Sequence, residues 1–475
     1  MKSSITSANL TIDNSFIPRE TDTIENIDLE TAEKDKSFNL RGTLLLTVTL
    51  LLLLVGSFLV YLLQPEFDAL YQERINTFWG RSIIVTSIAL LGIKGLFFLY
   101  NLYLYSKYKP IKSVTDEQLP VITVIVPAYN EGQLVWHTLQ SLAASDYPTH
   151  KLQLIAIDDG SKDDTWQWIQ QAKHDLGARV TIYKQPKNMG KRHALYYGFN
   201  NGIGEVFVTV DSDSVVKPNT LRNLVSPLVV KKDCGAVAGN VRVLNNRSAI
   251  LPKMLNVSFV LSFEFIRSAE SALGSVMCTP GALAAYRREA VMACLPEWID
   301  QKFMGKKSDI GEDRAMTNMI MKQGFHVLFQ RNAYVLTNVP EKYKGLYKMF
   351  IRWGRSNIRE NIKMATFVFK NYRKENKAGI RLLFANQLLT TVAAYPFLIL
   401  MFYFIVSHPA LFLSSTLMGI LLYSSFPVFF YTKRYNKFSE SLYAYAYSLL
   451  YTFSLFWITP YAIATAGKSG WLTRG

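Results

Sequence analysis

Two hydrophobic patterns alternate along this chain. Thr43 to Leu63 is a run of 21 uncharged residues, and a helix of that length, rising about 1.5 Å per residue, crosses the ~30 Å hydrocarbon core of a bilayer. Ile83 to Tyr105 is a second such run, broken only by Lys94, whose ammonium must face protein or water rather than lipid. Leu382 to Val406 and Pro409 to Tyr431 predict two more spans. Leu442 to Ala466 is apolar as well, but Pro460 interrupts it. It either crosses or lies along the interface and returns.

Between these blocks the period changes. VITVIVPAYN (121 to 130), LQLIAIDDGS (152 to 161), RVTIYKQ (179 to 185), VFVTVDSD (206 to 213) and AVAGNVRVL (236 to 244) read as buried strands. The segments 131 to 145, 163 to 176, 191 to 202 and 218 to 231 have helical spacing. Strands and helices in alternation predict an α/β domain on a mainly parallel sheet, with ligands beyond the carboxyl ends of the strands. The expected divisions are a disordered polar tail (1 to 40), a transmembrane hairpin (41 to 106), a cytosolic α/β domain (107 to 345), a basic interfacial segment (346 to 381) and C-terminal transmembrane or interface helices (382 to 475).

Composition sharpens this. Of 475 residues 49% are hydrophobic and only 19% charged, which excludes a wholly soluble or wholly disordered chain. Lys+Arg 52 against Asp+Glu 36 leaves a net charge of +16. The excess is concentrated at 346 to 381, directly before an apolar block, where it reads as a membrane-facing collar rather than a nucleic-acid groove. Arg41 and Lys107, Lys109 and Lys112 flank the first hairpin, so the positive-inside rule puts the α/β domain on the cytosolic side of what is expected to be the plasma (inner) membrane. Cys234, Cys278 and Cys294 form no C-x-x-C pair, which argues against a disulfide framework or a thiolate zinc site.

The polar residues cluster at strand ends. Asp211-Ser-Asp213 places two carboxylates where a strand opens into a loop, hard oxygen ligands suited to Mg²⁺ or Mn²⁺ shared with a diphosphate. Tyr129-Asn130-Glu131 and Asp158-Asp159-Gly160-Ser161 close the first two strands, either as turn chemistry or as carboxylate contacts to a nucleotide base. Asn188-Met-Gly190-Lys191-Arg192 opens a helix, where two cations and free N–H groups suit a diphosphate. The G-x-x-x-x-G-K-[ST] loop of ATPases is absent.

VPAYNE, IDDGS, GKRHAL, DSDS, Gly311-Glu312-Asp313 and Arg352-Trp353 occur in the order seen in processive membrane-embedded family 2 glycosyltransferases. Over about residues 43 to 474 the chain resembles hyaluronan synthases and related chitin and poly-N-acetylglucosamine synthases. The resemblance implies a GT-A-like (Rossmann-like) domain inserted between transmembrane helices. It implies that Tyr129, Glu131, Asp158 or Asp159, and Asp211 bind the nucleotide, that Lys191 and Arg192 lie near the diphosphate, and that Asp213 binds the metal. Asp313 is then the general base for the acceptor hydroxyl, with inversion at the donor carbon. Cys278, Gly281, Arg352, Trp353, Trp471 and Arg474 fall on the acceptor and pyrophosphate side.

Three departures bear on the polymer. The usual Q-x-x-R-W appears as Met349-Phe-Ile-Arg352-Trp353, Cys278-Thr-Pro-Gly281 is less polar than expected of a hyaluronan synthase, and Gly-Glu-Asp stands for Gly-Asp-Asp. The expected function is an inverting, metal-dependent synthase that joins UDP-GlcNAc and UDP-GlcA and exports the polymer through its own channel. The alternatives are a chitin or poly-N-acetylglucosamine synthase using UDP-GlcNAc alone, a single-sugar transferase acting on a polyprenyl phosphate, and, from another class, a non-catalytic nucleotide sensor. The expected partners are a UDP-sugar, the growing polysaccharide and the bilayer, with no nucleic acid.

Overall fold

The computed structural model describes residues 36 to 375 and 377 to 468. The polar tail up to residue 35, and Trp471 and Arg474, lie outside the described residues.

The strands are β1 (Ile122–Ala128), β2 (Leu152–Asp158), β3 (Val180–Lys184), β4 (Val206–Val210), β5 (Ser214–Val216), β6 (Cys234–Val243), β7 (Leu283–Arg287), β8 (Lys302–Phe303), β9 (Lys306–Lys307) and β10 (His326–Thr337). Eight form one sheet in the order β3-β2-β1-β4-β7-β6-β10-β5, while β8 and β9 pair as a separate hairpin. β1, β4 and β6 are buried along their whole length. That is why they read as continuous apolar runs: a parallel strand covered on both faces has no solvent side to alternate toward.

Register aligns the polar residues. β1 pairs in parallel with β2, Ala128 opposite Asp158, and with β4, Ile122 opposite Val206. The carboxyl ends of the three strands therefore finish at one level, beside the point where the strand order reverses. The sheet is mixed rather than purely parallel, because β7 runs antiparallel between β4 and β6. The sequence reading did not include this strand, LAAYR.

Leu40–Leu62, Phe78–Lys107 and Pro409–Tyr435 are long and apolar enough to cross a membrane. The expected span over 382 to 406 falls on two helices, Lys377–Val392 and Ala394–Ser407, which together are apolar enough to cross but are bent by 40° at their junction. Pro396 supplies the reason: it has no N–H to offer the carbonyl four residues back, and its ring crowds that carbonyl. Lys94 donates to Asn386 Oδ1 (2.7 Å) and Thr390 Oγ1 (2.8 Å) of the first of these helices, so its charge is turned toward protein. The stretch 442 to 466 is two short helices, Tyr443–Ser454 and Ile458–Ala464.

Candidate active site

The site is assembled at the shared strand level, beneath the helix Tyr343–Ala365. Leaving β1, Asn130 adopts φ 53°. The next loop holds this turn: Asn130 N donates to Ser161 Oγ (3.0 Å), and Glu131 N and Gly132 N both donate to Thr165 Oγ1 (2.8 and 2.9 Å). Tyr129 and Glu131 therefore sit on a braced turn.

At the end of β2, Asp158 is fully buried. Its Oδ1 accepts from Ser161 N at 3.0 Å, while its Oδ2 has no hydrogen-bond partner among the described residues. A buried carboxylate oxygen left unpaired costs free energy, so Oδ2 is available to accept a further hydrogen bond. Asp159 differs: its two oxygens accept from Met189 N and Gly190 N, both at 2.8 Å. This corrects the expectation of free N–H groups at the 188 to 190 turn, because Asp159 already binds them. Gly160 is required here, since φ is 70° and a Cβ would lie 2.5 Å from the Lys187 carbonyl carbon.

The two cations opening the helix Lys191–Asn201 separate. Lys191 Nζ contacts Asp211 Oδ1 and lies 3.2 Å from Glu312 Oε1. These carboxylates hold the ammonium above its usual pKa despite burial, which acts the other way. Arg192 turns into the interior, donating to the Trp298 carbonyl (2.5 Å) and Gln301 Oε1 (3.0 Å), with its guanidinium 4.9 Å from the centre of the Trp298 ring. Its expected place beside a diphosphate is not observed. Adjacent positions on a helix point about 100° apart, so Lys191 and Arg192 cannot share one face.

Asp211 and Asp213 follow β4, where Asp213 Oδ1 accepts from Ser214 Oγ and Thr337 Oγ1, both at 3.2 Å. Two hard carboxylates at a strand end suit a divalent cation, although the described residues hold no cluster of three or more metal-ligating side chains. Asp211 and Asp213 would hold the cation.

Asp313 lies in the first turn of the helix Glu312–Lys322. Its Oδ2 accepts from Gly281 N (3.2 Å) and its Oδ1 from Arg314 N (2.7 Å). Burial, then the adjacent Glu312 carboxylate, pushes its pKa up. Burial alone would raise Glu312 too, but Lys191, its own backbone N–H and Arg352 hold it down. The two neighbouring carboxylates are thus shifted in opposite directions, Glu312 down and Asp313 up. Glu312 is the participant that sequence reasoning missed. Its signal was its place inside Gly-Glu-Asp, but only the fold brings Lys191 to it. Lys191, Gly281, Glu312 and Asp313 line one small cavity.

Arg314 makes no ion pair with Asp313. It reaches Asn357 Oδ1, Asn361 Oδ1 and Gln387 Oε1 at 2.8, 2.7 and 2.7 Å, tying the helix that carries Asp313 to the helix Tyr343–Ala365 and the bent pair. Cys278 sits beside this group, where burial and then the Asp313 carboxylate raise its thiol pKa, which favours the neutral thiol. Trp353 is 37% exposed and packs near Phe350 (5.6 Å) and Phe259 (6.4 Å).

A mixed sheet with acidic residues at its carboxyl edge, a D-x-D after the central strand and a buried carboxylate at a helix start defines a glycosyltransferase of GT-A-like fold. The comparisons agree. The model of Glycosyltransferase like family 2 matches residues 120–356. An N-acetylglucosaminyltransferase of Rhizobium meliloti (strain 1021) is 31% identical over 287 residues, 60% of this chain and 67% of the relative. A hyaluronan synthase of Streptococcus pyogenes is 29% identical over 362 residues, 70% of this chain and 85% of the relative. The chain spans 59% and 58% of two other N-acetylglucosaminyltransferases. The fold is similar to that of a mannosyltransferase from Pyrobaculum calidifontis solved with GDP-Man and Mn²⁺ (TM-score 0.52, 21% identity, 76% of this chain and 97% of that one). The chain belongs to glycosyltransferase family 2.

Proposed function

We propose that this glycosyltransferase extends a polysaccharide from UDP-activated sugars, with inversion and with help from a divalent cation, and passes the product across the inner membrane beside which its catalytic domain sits. The observation that carries this is the buried pair of Glu312, held against Lys191, and Asp313, whose carboxyl pKa is raised by burial and by Glu312. The support for a sugar polymer is the similarity to the hyaluronan synthase and the N-acetylglucosaminyltransferases.

In the reaction, Asp158 Oδ2 and the braced 129 to 131 turn bind and orient the nucleotide. Asp211 and Asp213 would hold the cation, which when bound would supply positive charge against the departing diphosphate. Lys191, already between Asp211 and Glu312, adds a fixed positive charge on the same side. A sugar hydroxyl is a poor nucleophile, so Asp313 takes its proton as the bond to the anomeric carbon forms. Arg352 and Trp353 flank the acceptor, Trp353 offering an aromatic face for the apolar face of a sugar ring. Trp471 and Arg474 are assigned to the same side by the resemblance alone. The described apolar helices flank the domain on both sides, and we assign them to the bilayer and to the export path.

The hyaluronan-type reading requires both UDP-GlcNAc and UDP-GlcA. A second reading, UDP-GlcNAc alone, is favoured by the N-acetylglucosaminyltransferase relatives. Release of UDP in lipid nanodiscs with Mg²⁺ or Mn²⁺, from each donor alone and from both, tests these. Release only with both donors, giving a hyaluronidase-sensitive product, supports the first. Turnover with UDP-GlcNAc alone supports the second, and no release with any of the three refutes both.

A further inference from the structure

Arg359 is 3% exposed, yet it is no part of the reacting group. Its guanidinium joins two stretches of chain that are far apart in sequence. Nε donates to the Ala466 carbonyl (2.8 Å) and Nη2 to the Lys468 carbonyl (2.7 Å). Nη1 faces Ser308 Oγ and Asp309 Oδ1, both at 3.5 Å. One turn earlier Arg355, also 3% exposed, donates from Nε to Thr465 Oγ1 at 3.0 Å. Residues 355 and 359 are four apart and share one helix face. The segment 465 to 468 therefore lies along that face and is held by two buried guanidinium groups.

The other attachment explains the interest. Asp309 stands two residues before Gly311, which has φ 75° and packs so closely on Ser356 that a Cβ would lie 1.9 Å from its Oγ. Glu312 and Asp313 follow at once. The loop carrying the base is thus seated on the helix Tyr343–Ala365 at two points, Ser356 and Arg359, and the second is shared with the segment 465 to 468. A planar guanidinium presents several donors in a fixed fork, so a shift of either stretch changes the contact to the other.

We infer that Arg359 is a positioning residue that locks the C-terminal segment Thr465–Lys468 to the loop bearing Asp313, so that the seating of that segment sets where the base stands. The inference rests on the assignment of Asp313 as the base. It requires three behaviours of the full-length protein in nanodiscs. Arg359→Gln lowers kcat for sugar transfer by about 10- to 100-fold, since a displacement near 1 Å at a reacting group has that effect, while KM for the UDP-sugar stays within about twofold. Tryptic cleavage after Lys468 becomes faster in the same variant. Arg359→Gln and Asp309→Asn combine less than additively, because both break the contact between Arg359 and Asp309.

Arg359→Lys is the second variant, to be used if Arg359→Gln does not elute as folded protein. It keeps the charge but cannot span both carbonyls, so it is expected to show the same kcat loss at reduced size. A rise in KM with kcat unchanged, or wild-type kcat in both Arg359 variants, overturns the inference. Asp313→Asn is assayed alongside: activity retained there defeats the base assignment itself, whereas an inactive Asp313→Asn beside a fully active Arg359→Gln defeats only the role of Arg359.

Discussion

Replacing Gly311 with alanine tests whether the base is positioned by backbone contact. Gly311 has φ 75°, and the added Cβ would lie 1.9 Å from Ser356 Oγ and 2.8 Å from Ser356 Cβ. Rotating the hydroxyl away removes the first overlap but not the second. Carbon atoms pack at about 3.5 to 4.0 Å, so the helix Tyr343–Ala365 and the 308 to 313 loop must separate by about 1 Å. The left-handed backbone adds about 1 to 2 kcal/mol for a residue with a Cβ, and forced overpacking about 1 to 3 kcal/mol. The expected loss of stability is thus about 2 to 5 kcal/mol. Asp313, two residues on, moves with the loop, and kcat is expected to fall about 100-fold.

The assay pairs thermal unfolding in nanodiscs with UDP release at saturating donor. Adding Ser356→Ala to Gly311→Ala should restore only a small part of the melting temperature, because the 1.9 Å overlap goes while the 2.8 Å overlap with the residue-356 Cβ and the φ strain stay. Gly311→Ala with wild-type melting and wild-type kcat would refute the reasoning, since it would mean that the loop and helix do not meet as described.

Asp313→Asn should lower kcat by at least about 100-fold while leaving UDP affinity within about twofold, because it removes a proton acceptor at constant volume; a variant with most of its turnover would show that another group takes the proton. Asp213→Asn should weaken UDP binding in Mn²⁺ but not in EDTA, measured by calorimetry, and equal affinities in Mn²⁺ for wild type and variant would remove Asp213 from the metal site. The kcat–pH profile should carry its acid limb above the ordinary carboxylate range near about 4. The sign follows from Asp313: burial and Glu312 raise its pKa, the base acts only when deprotonated, and activity is therefore lost as pH falls through that raised value. A limb at or below the ordinary range would contradict this.

Much of the molecule is legible in the chain by itself because the relevant forces are local or periodic. Runs of about 20 uncharged residues predict membrane helices whatever lies around them, since unsatisfied backbone groups are costly in lipid. Apolar runs ending in Asn130, Asp158 and Asp211 predict parallel strands with chemistry at their carboxyl ends, because burial on both faces demands the first and backbone reversal the second. The order of these motifs also carried the resemblance to family 2.

What remained needed three dimensions. That Asp159 braces a turn while Asp158 keeps a free oxygen depends on which carboxylate meets Met189 N and Gly190 N. That Lys191 faces the site and Arg192 the core depends on helix phase against Trp298. Glu312 becomes a counter-charge only because folding carries it to a lysine 121 positions away (312 − 191), and Arg359 becomes a joint only because residues 308 and 466 arrive at one guanidinium. A pKa or a hydrogen bond is set by distance and dielectric, and neither quantity exists until the chain has closed around the group.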